Sequence, residues 1–433
     1  MTRSASSLAV ALALIALPAL AVNTTADPGA KPTFFEDVLP ILQQKCQDCH
    51  RPDGLNLGGM VAPMSLLTYD EVRPWARSIA RVVESGEMPP WHAAEHQRGA
   101  FVDERYLEPE QVETLLAWVR TGAPAGDAAD APPPVELAST GGWHIGEPDL
   151  VLKQPVEYCV PDAVEDEYQY FRLTLTEDLL PEDRWIKAVE FRPTGSFVHH
   201  IIARHLGGIA PGYQPKVYPP GHGALLETGS EITWQMHYHK EPGPGTEVCD
   251  TDTYVAIRFY QPGEVITHVA QGDGLRVRDI QIPPGDPDYS GTSQYTFEED
   301  SYITGFNPHM HLRGKAAKVQ ATFPDGSQRL LLDVPRYSFD WQHHYTYREP
   351  VFAPKGTRVD LTLWWDNSSE NPHNPDPTAT VAFGQPTTAE MGFGFMKYVK
   401  AEPVHIVVGE PLDPGMLPES DTETEQSSAE GGR

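Results

Sequence analysis

The chain has 433 residues, with 61 acidic against 32 basic side chains and a formal charge of -29. Its 40% hydrophobic and 21% charged content is ordinary for a chain that buries a core, and its length admits two or three domains but excludes a single small module. So negative a chain repels phosphate backbones and anionic lipid heads, which excludes nucleic acid and membrane surfaces as partners.

At the N-terminus, Arg3 precedes an apolar stretch from Leu8 to Leu20 that ends in Ala19-Leu20-Ala21, the small-x-small pattern a signal peptidase reads. Residues 1–21 are therefore expected to be a signal peptide, and no membrane span is expected after its cleavage. The expected location is periplasmic or secreted, where cysteines are bonded or modified.

Next comes Cys46-Gln47-Asp48-Cys49-His50, the C-x-x-C-H pattern of a covalent c-type haem. Two thiols add to the porphyrin vinyls and the histidine ligates iron. No second C-x-x-C exists to complete a zinc site. The flanks predict short helices. Thr33/Glu36 and Thr68/Glu71 match capping boxes, and a further helix starts near Pro109 and stops by Gly122. Pro40 and Pro74 are expected to bend the first two helices. Residues 30–122 thus read as a small all-α cytochrome c-like domain. Met88, in the extended loop Glu87-Met88-Pro89-Pro90-Trp91, is the preferred sixth iron ligand, with Met60, Met64 and His92 as alternatives.

Residues 123–140 form an Ala/Pro-rich linker, and 411–433 read as a disordered acidic tail. Between them the pattern alternates with period two, as in Val359-Asp360-Leu361-Thr362-Leu363, with turn signals such as Pro324-Asp325-Gly326. The expectation is two tandem antiparallel β-sandwiches of the jelly-roll kind, at 141–275 and 276–410.

The chain carries 17 histidines, several in pairs that strand geometry can interpret. His309 and His311 are two apart, so they share a strand face and can converge on one ion. In Glu231–His239, Ile232, Trp234, Met236 and Tyr238 share one face, and His237 shares the other with His239. His199 and His200 are adjacent, so joint ligation needs a bulge or a strand end. There is no H-E-x-x-H zinc motif and no G-x-S-x-G nucleophile elbow. Imidazole with nearby thioether sulfur suits copper.

Taken together, His199-His200, Met236-His237-Tyr238, Pro308-His309-Met310-His311-Leu312 and Glu390-Met391 resemble the copper type II, ascorbate-dependent monooxygenases, the family of peptidylglycine α-hydroxylating and dopamine β-monooxygenases. Bacterial relatives carry a cytochrome c-like domain in front, and residues 86–91, 309–315 and 374–377 look like theirs. The resemblance implies two copper ions facing each other across an open solvent cleft. His199, His200 and His237 would bind the electron-supplying copper, and His309, His311 and Met391 the catalytic, O2-binding copper. It also implies a Cys159–Cys249 disulfide. The departures are Phe395 where the peptide-hydroxylating enzymes have Tyr, Asn307 where they have Arg, and Gly392 in place of a Cys. The lost Tyr and Arg bind a glycine-extended carboxylate, which argues against peptide amidation.

The expected function is C–H hydroxylation of a small organic substrate by O2, with electrons from the fused haem, from ascorbate or from another donor. The alternatives are a periplasmic electron-transfer or copper-binding protein without hydroxylase activity, and a non-redox carbohydrate-binding sandwich.

Overall fold

The computed structural model describes residues 31–135, apart from Asp53 and Asn56, and residues 142–412. The expected signal peptide at 1–21, the end of the linker at 136–140 and nearly all of the expected acidic tail lie outside the described residues. No described helix is long and apolar enough to cross a membrane.

Helix is confined to short pieces at Phe34–Val38, Leu39–Lys45, Tyr69–Val72, Ala76–Glu84 and Pro109–Arg120, with single 3-10 turns besides. The Thr68 box forms: its amide donates to the Glu71 carboxylate at 2.9 Å while its hydroxyl accepts from the Glu71 amide. The Thr33 box does not form. The Thr33 amide instead bonds to Asp37 at 2.7 Å, and Val38 N reaches back to Thr33 O in a wider π turn. Pro74 sits in the 3-10 turn Arg73–Trp75 that separates two helices, and Trp75 is exposed there. Gly86 and Gly122 end their helices with φ of 72° and 98°.

Strands hold 37% of the structure and helices 12%, and the four main sheets stand in a four-blade, propeller-like arrangement. The first sheet runs in the order Leu150–Lys153, Tyr254–Phe259, Arg184–Arg192, His222–Leu226, His268–Val269. The second runs Asp166–Thr174, Glu231–His239, Val198–Ala203, Gly207–Ile209. In the third, Gln271–Arg276, Phe393–Lys400, Ser301–His309 and Tyr345–Ala353 are neighbours, and in the fourth Tyr289–Thr296, Arg358–Trp365, Gly314–Thr322 and Gln328–Val334. Alternation locates the buried faces correctly. Val359, Leu361, Leu363 and Trp365 are fully buried, as are Ile232, Trp234, Met236 and Tyr238. The turn at 324–326 joins two strands of the fourth sheet, with Gly326 at φ 84°.

These findings correct the expected fold of an all-α cytochrome c-like domain followed by two jelly-rolls. The helices pack on a core of their own around Phe34, Leu42, Leu115 and Trp118, but the stretch between the last two of them leaves it. Trp91, Ala93 and Phe101, at 6%, 5% and 0% exposure, join the hydrophobic core of the third and fourth sheets. Val102 N bonds to Thr346 O at 2.8 Å, and Ala94 N to Asp333 O at 2.8 Å. The stretch after the Pro109–Arg120 helix also folds back: Ala123 is buried, and Pro124 O accepts from the Phe34 amide and the Trp118 indole. Period-two alternation reports which face of a strand is buried but not which strands pair, so it cannot separate a jelly-roll from the observed sheet order.

Candidate functional site

The first histidine set is built by one irregularity in the second sheet. Val198–Ala203 pairs antiparallel with Glu231–His239, and a register shift between Val198 and His200 puts His199 in a bulge and His200 opposite His237. The bulge turns two adjacent histidines toward the same side. One ligand atom from each of His199, His200 and His237 lies within 4.8 Å of the others.

The outer nitrogens fix the tautomers. His237 Nε2 stands 2.9 Å from Asp166 Oδ1; a carboxylate only accepts, so Nε2 is the donor and Nδ1 faces the other histidines. His200 Nε2 faces Gln235 Oε1 at 3.3 Å, and the Gln235 amide nitrogen donates to the Tyr170 hydroxyl, which orients that oxygen. The two Nδ1 atoms lie 3.1 Å apart, and His199 Nδ1 is buried without a partner. Burial, and secondarily the neighbouring His237, holds His199 and His200 well below the usual histidine range, the neutral state in which an imidazole nitrogen can ligate a cation. Tyr168 stacks on His237 with centroids 4.2 Å apart, and against the upward push of burial the attached His237 holds Asp166 ionised, its pKa down at about 2.

The second set lies at the end of the Ser301–His309 strand, with His311 just beyond it. Their rings are 5.3 Å apart and nearly perpendicular. His309 Nδ1 bonds to Gln342 Oε1 at 2.6 Å and His311 Nδ1 to Ala389 O at 3.3 Å, which leaves both Nε2 atoms as acceptors. Glu390 binds the amides of His311 and Arg313 at 2.8 and 2.7 Å and the Trp365 indole at 3.0 Å. It thereby ties the chain leading into Met391 to the backbone of His311. Burial pushes Glu390 up to about 7, against the pull of those amides.

Phe339 joins the two sets. His199 stacks on its ring at 4.6 Å, and His311 meets it edge-on at 5.8 Å. The segment before Met391 is also bonded to the first set: the Thr387 hydroxyl donates to Asp166 at 2.6 Å and the Tyr168 hydroxyl to Gln385 O at 2.8 Å.

At the C-x-x-C-H motif, Cys46 and Cys49 are unbonded, and Cys46 closes the Leu39–Lys45 helix against the helical core. Burial pushes the Cys46 thiol up to about 12. His50 Nδ1 is buried without a partner, and Leu66 N bonds to His50 O at 2.9 Å, which brings the Met64 segment beside it. Met60 pairs with Leu57, and the Met88 amide bonds to Val82 O. His92 lies apart, 5.6 Å from His343. Cys159 and Cys249 are bonded across the paired strands Tyr158–Val160 and Val248–Asp250.

Sequence reasoning missed Asp166, Gln235, Gln342 and Phe339. Gln235 stands two before His237 on the same strand face and was within reach of the period-two rule. The other three come from distant strands and turns, which one sequence does not pair.

No family model matches the chain, and no curated protein matches it. Among solved structures, the VP2 subviral particle of infectious bursal disease virus aligns at 9% identity over 59% of this chain and 73% of that one, with a TM-score of 0.18. A Paenibacillus xanthan lyase aligns at 12% identity over 59% of this chain and 26% of that one, with a TM-score of 0.16. Scores this low carry no argument about fold or function.

Proposed function

We propose that the chain is an exported copper-dependent monooxygenase that hydroxylates a C–H bond of a small organic substrate with O2. The observation that carries this reading is the convergence of His199, His200 and His237, with ligand atoms within 4.8 Å of one another, and a second histidine pair across Phe339. His199, His200 and His237 would hold one copper ion, and His309, His311 and Met391 the other; bound copper supplies one-electron redox chemistry and O2 activation.

The chain's own residues do the rest. Asp166 and Gln235 keep the first set in the tautomer that presents Nδ1, while Gln342 and the Ala389 carbonyl present Nε2 in the second. Glu390 sets the approach of the Met391 segment. Phe339 holds His199 and His311 against its two sides. Beside His309 stand Phe393 and Phe395, stacked at 5.4 Å, with Phe383 6.0 Å from Phe393. Phe383 and Phe395 are 39% and 38% exposed, an apolar face suited to a substrate that offers a C–H bond rather than a charge. The covalent haem at Cys46, Cys49 and His50, with Met88 as its preferred second axial ligand, would serve as an electron source alongside or in place of an ascorbate-like reductant.

The test is reduced, copper-loaded protein mixed with O2 and candidate substrates, with product mass read for a gain of one oxygen. Met391→Ile is expected to abolish that gain and leave the first copper bound. An electron-transfer or copper-holding protein shows no substrate-coupled O2 uptake in either form.

A further inference from the structure

One face of the third sheet carries a lysine that neither histidine set uses. Residues opposite one another in an antiparallel pair share a face, so His309 with Phe393, Asn307 with Phe395 and Gly305 with Lys397 line up along it. On the other flank Gly274 lies beside Phe395 and Gly272 beside Lys397. The face thus runs from the His309 imidazole over two stacked phenyl rings to the lysine, about 13 Å along the strand from Phe393 to Lys397. Lys397 has glycine on both sides. A Cβ at Gly272 would meet only the Met396 carbonyl oxygen, at 3.4 Å, so the space over that edge of the lysine is open.

Direct contacts hold the lysine at the end of this face. Lys397 Nζ is in hydrogen-bond contact with His344 Nδ1, and the His344 ring meets the Tyr213 ring with centroids 3.9 Å apart. The Tyr213 hydroxyl donates in turn to Asn307, the residue opposite Phe395. Lys397 is half-buried, and among the described residues no carboxylate pairs with it. Burial, and then the charge of Lys216, push its pKa down to about 7. The charge that would recruit an anion is what burial removes, so the site suits an uncharged electrophile. A desolvated amine that spends much of its time as the free base is a nucleophile toward carbonyl carbon.

We propose that Lys397 captures an aldehyde or ketone as an imine, with the rest of the ligand lying over Phe395 and Phe393 toward His309. The capture depends on the amine alone. Its place beside a copper-bound His309 rests on the monooxygenase reading above, and there it makes carbonyl compounds with a hydrocarbon or aromatic body the substrate class. In the step itself the nitrogen lone pair attacks the carbonyl carbon, a C–N bond forms and the C=O π pair moves to oxygen. Two N–H protons leave with that oxygen as water, and a C=N bond remains; nothing is oxidised or reduced, and hydrolysis releases the ligand. His344 Nδ1 is placed to take the amine proton and pass it to the departing oxygen.

The test uses full-length, copper-free protein at neutral pH with 3-phenylpropanal and cyanoborohydride, whose hydride reduces an imine to a stable secondary amine. Peptide mass spectrometry reads the labelling rate of each lysine, and the α-amino group, which also has a low pKa, is scored apart. Lys397 is expected to be labelled at least about tenfold faster than any other lysine, because an ordinary lysine, with a pKa of about 10.4, holds little free amine at neutral pH. Labelling of Lys397 at the common rate overturns the inference. Gly272→Val fills the open edge without touching the amine; it is expected to slow 3-phenylpropanal labelling of Lys397 about tenfold and to leave labelling by formaldehyde near wild type. A Gly272→Val protein with the wild-type rate for 3-phenylpropanal overturns the placement along the aromatic face, and if that variant does not fold the wild-type rates decide alone. Copper plays no part in the labelling, so the two readings fail separately: selective labelling in a protein that binds no copper removes the monooxygenase reading and keeps the capture site, and the reverse result removes only the capture site.

Discussion

Asp166 does two things with one carboxylate: it fixes the His237 tautomer through one oxygen and accepts the Thr387 hydroxyl through the other. Removing its charge while keeping its shape is therefore informative. Asp166→Asn is expected to weaken copper at the first set by about 10- to 100-fold, the usual effect of losing a partner that orients a ligating imidazole, and a competitive copper titration measures it. Gln342→Ala should do the same at the second set and leave the first unchanged. The histidine types and their pairing were legible in the sequence because period two places His309 and His311 together and makes His199-His200 depend on a bulge, which the register shift at Val198/His200 supplies. Their orienting partners were not legible. Asp166 lies on a strand whose pairing with Glu231–His239 only the fold reveals, and Gln342 is 33 residues from His309.

At the level of elements, the strand pair Tyr158–Val160 and Val248–Asp250 is closed by a disulfide that spans 90 residues of sequence. On a chain-entropy estimate, a loop of that size stabilises the fold by about 4 to 5 kcal/mol. A Cys159→Ala/Cys249→Ala protein should lose stability of that order in denaturant unfolding, and an unchanged midpoint would contradict it. The adjoining turn is pH-sensitive in a definite direction. The Gly245 and Glu247 amides donate to Asp162 at 2.9 and 2.6 Å and hold its carboxyl below the ordinary range. Because the native pKa is the lowered one, the stabilisation is complete above the ordinary carboxylate pKa and is lost as pH falls through the native value. Amide exchange at Gly245 and Glu247 should speed up over that window, and Asp162→Asn should abolish the pH step.

The largest difference between sequence and structure concerns how the helical region relates to the sheets. The C-x-x-C-H motif, the Thr68 capping box and the Pro109 helix start are local signals, and they mark out a helical segment. That Trp91 and Phe101 pack against Tyr345 and Tyr347 is a long-range outcome with no local mark. Phe101→Ala, at a fully buried site, should cost about 3 to 5 kcal/mol and lower the melting of the β region and the helical region together, since the stretch that links the helices is anchored in that core. Two separated transitions in calorimetry would show instead that they fold independently. The whole account depends on two histidine sets built for two ions, and the most direct measurement is the copper content of purified, copper-saturated protein. The prediction is two coppers per chain, one lost in His237→Ala and the other in His309→Ala, each variant keeping its partner. Retention of both ions in either variant, or of none in the unaltered protein, would contradict it.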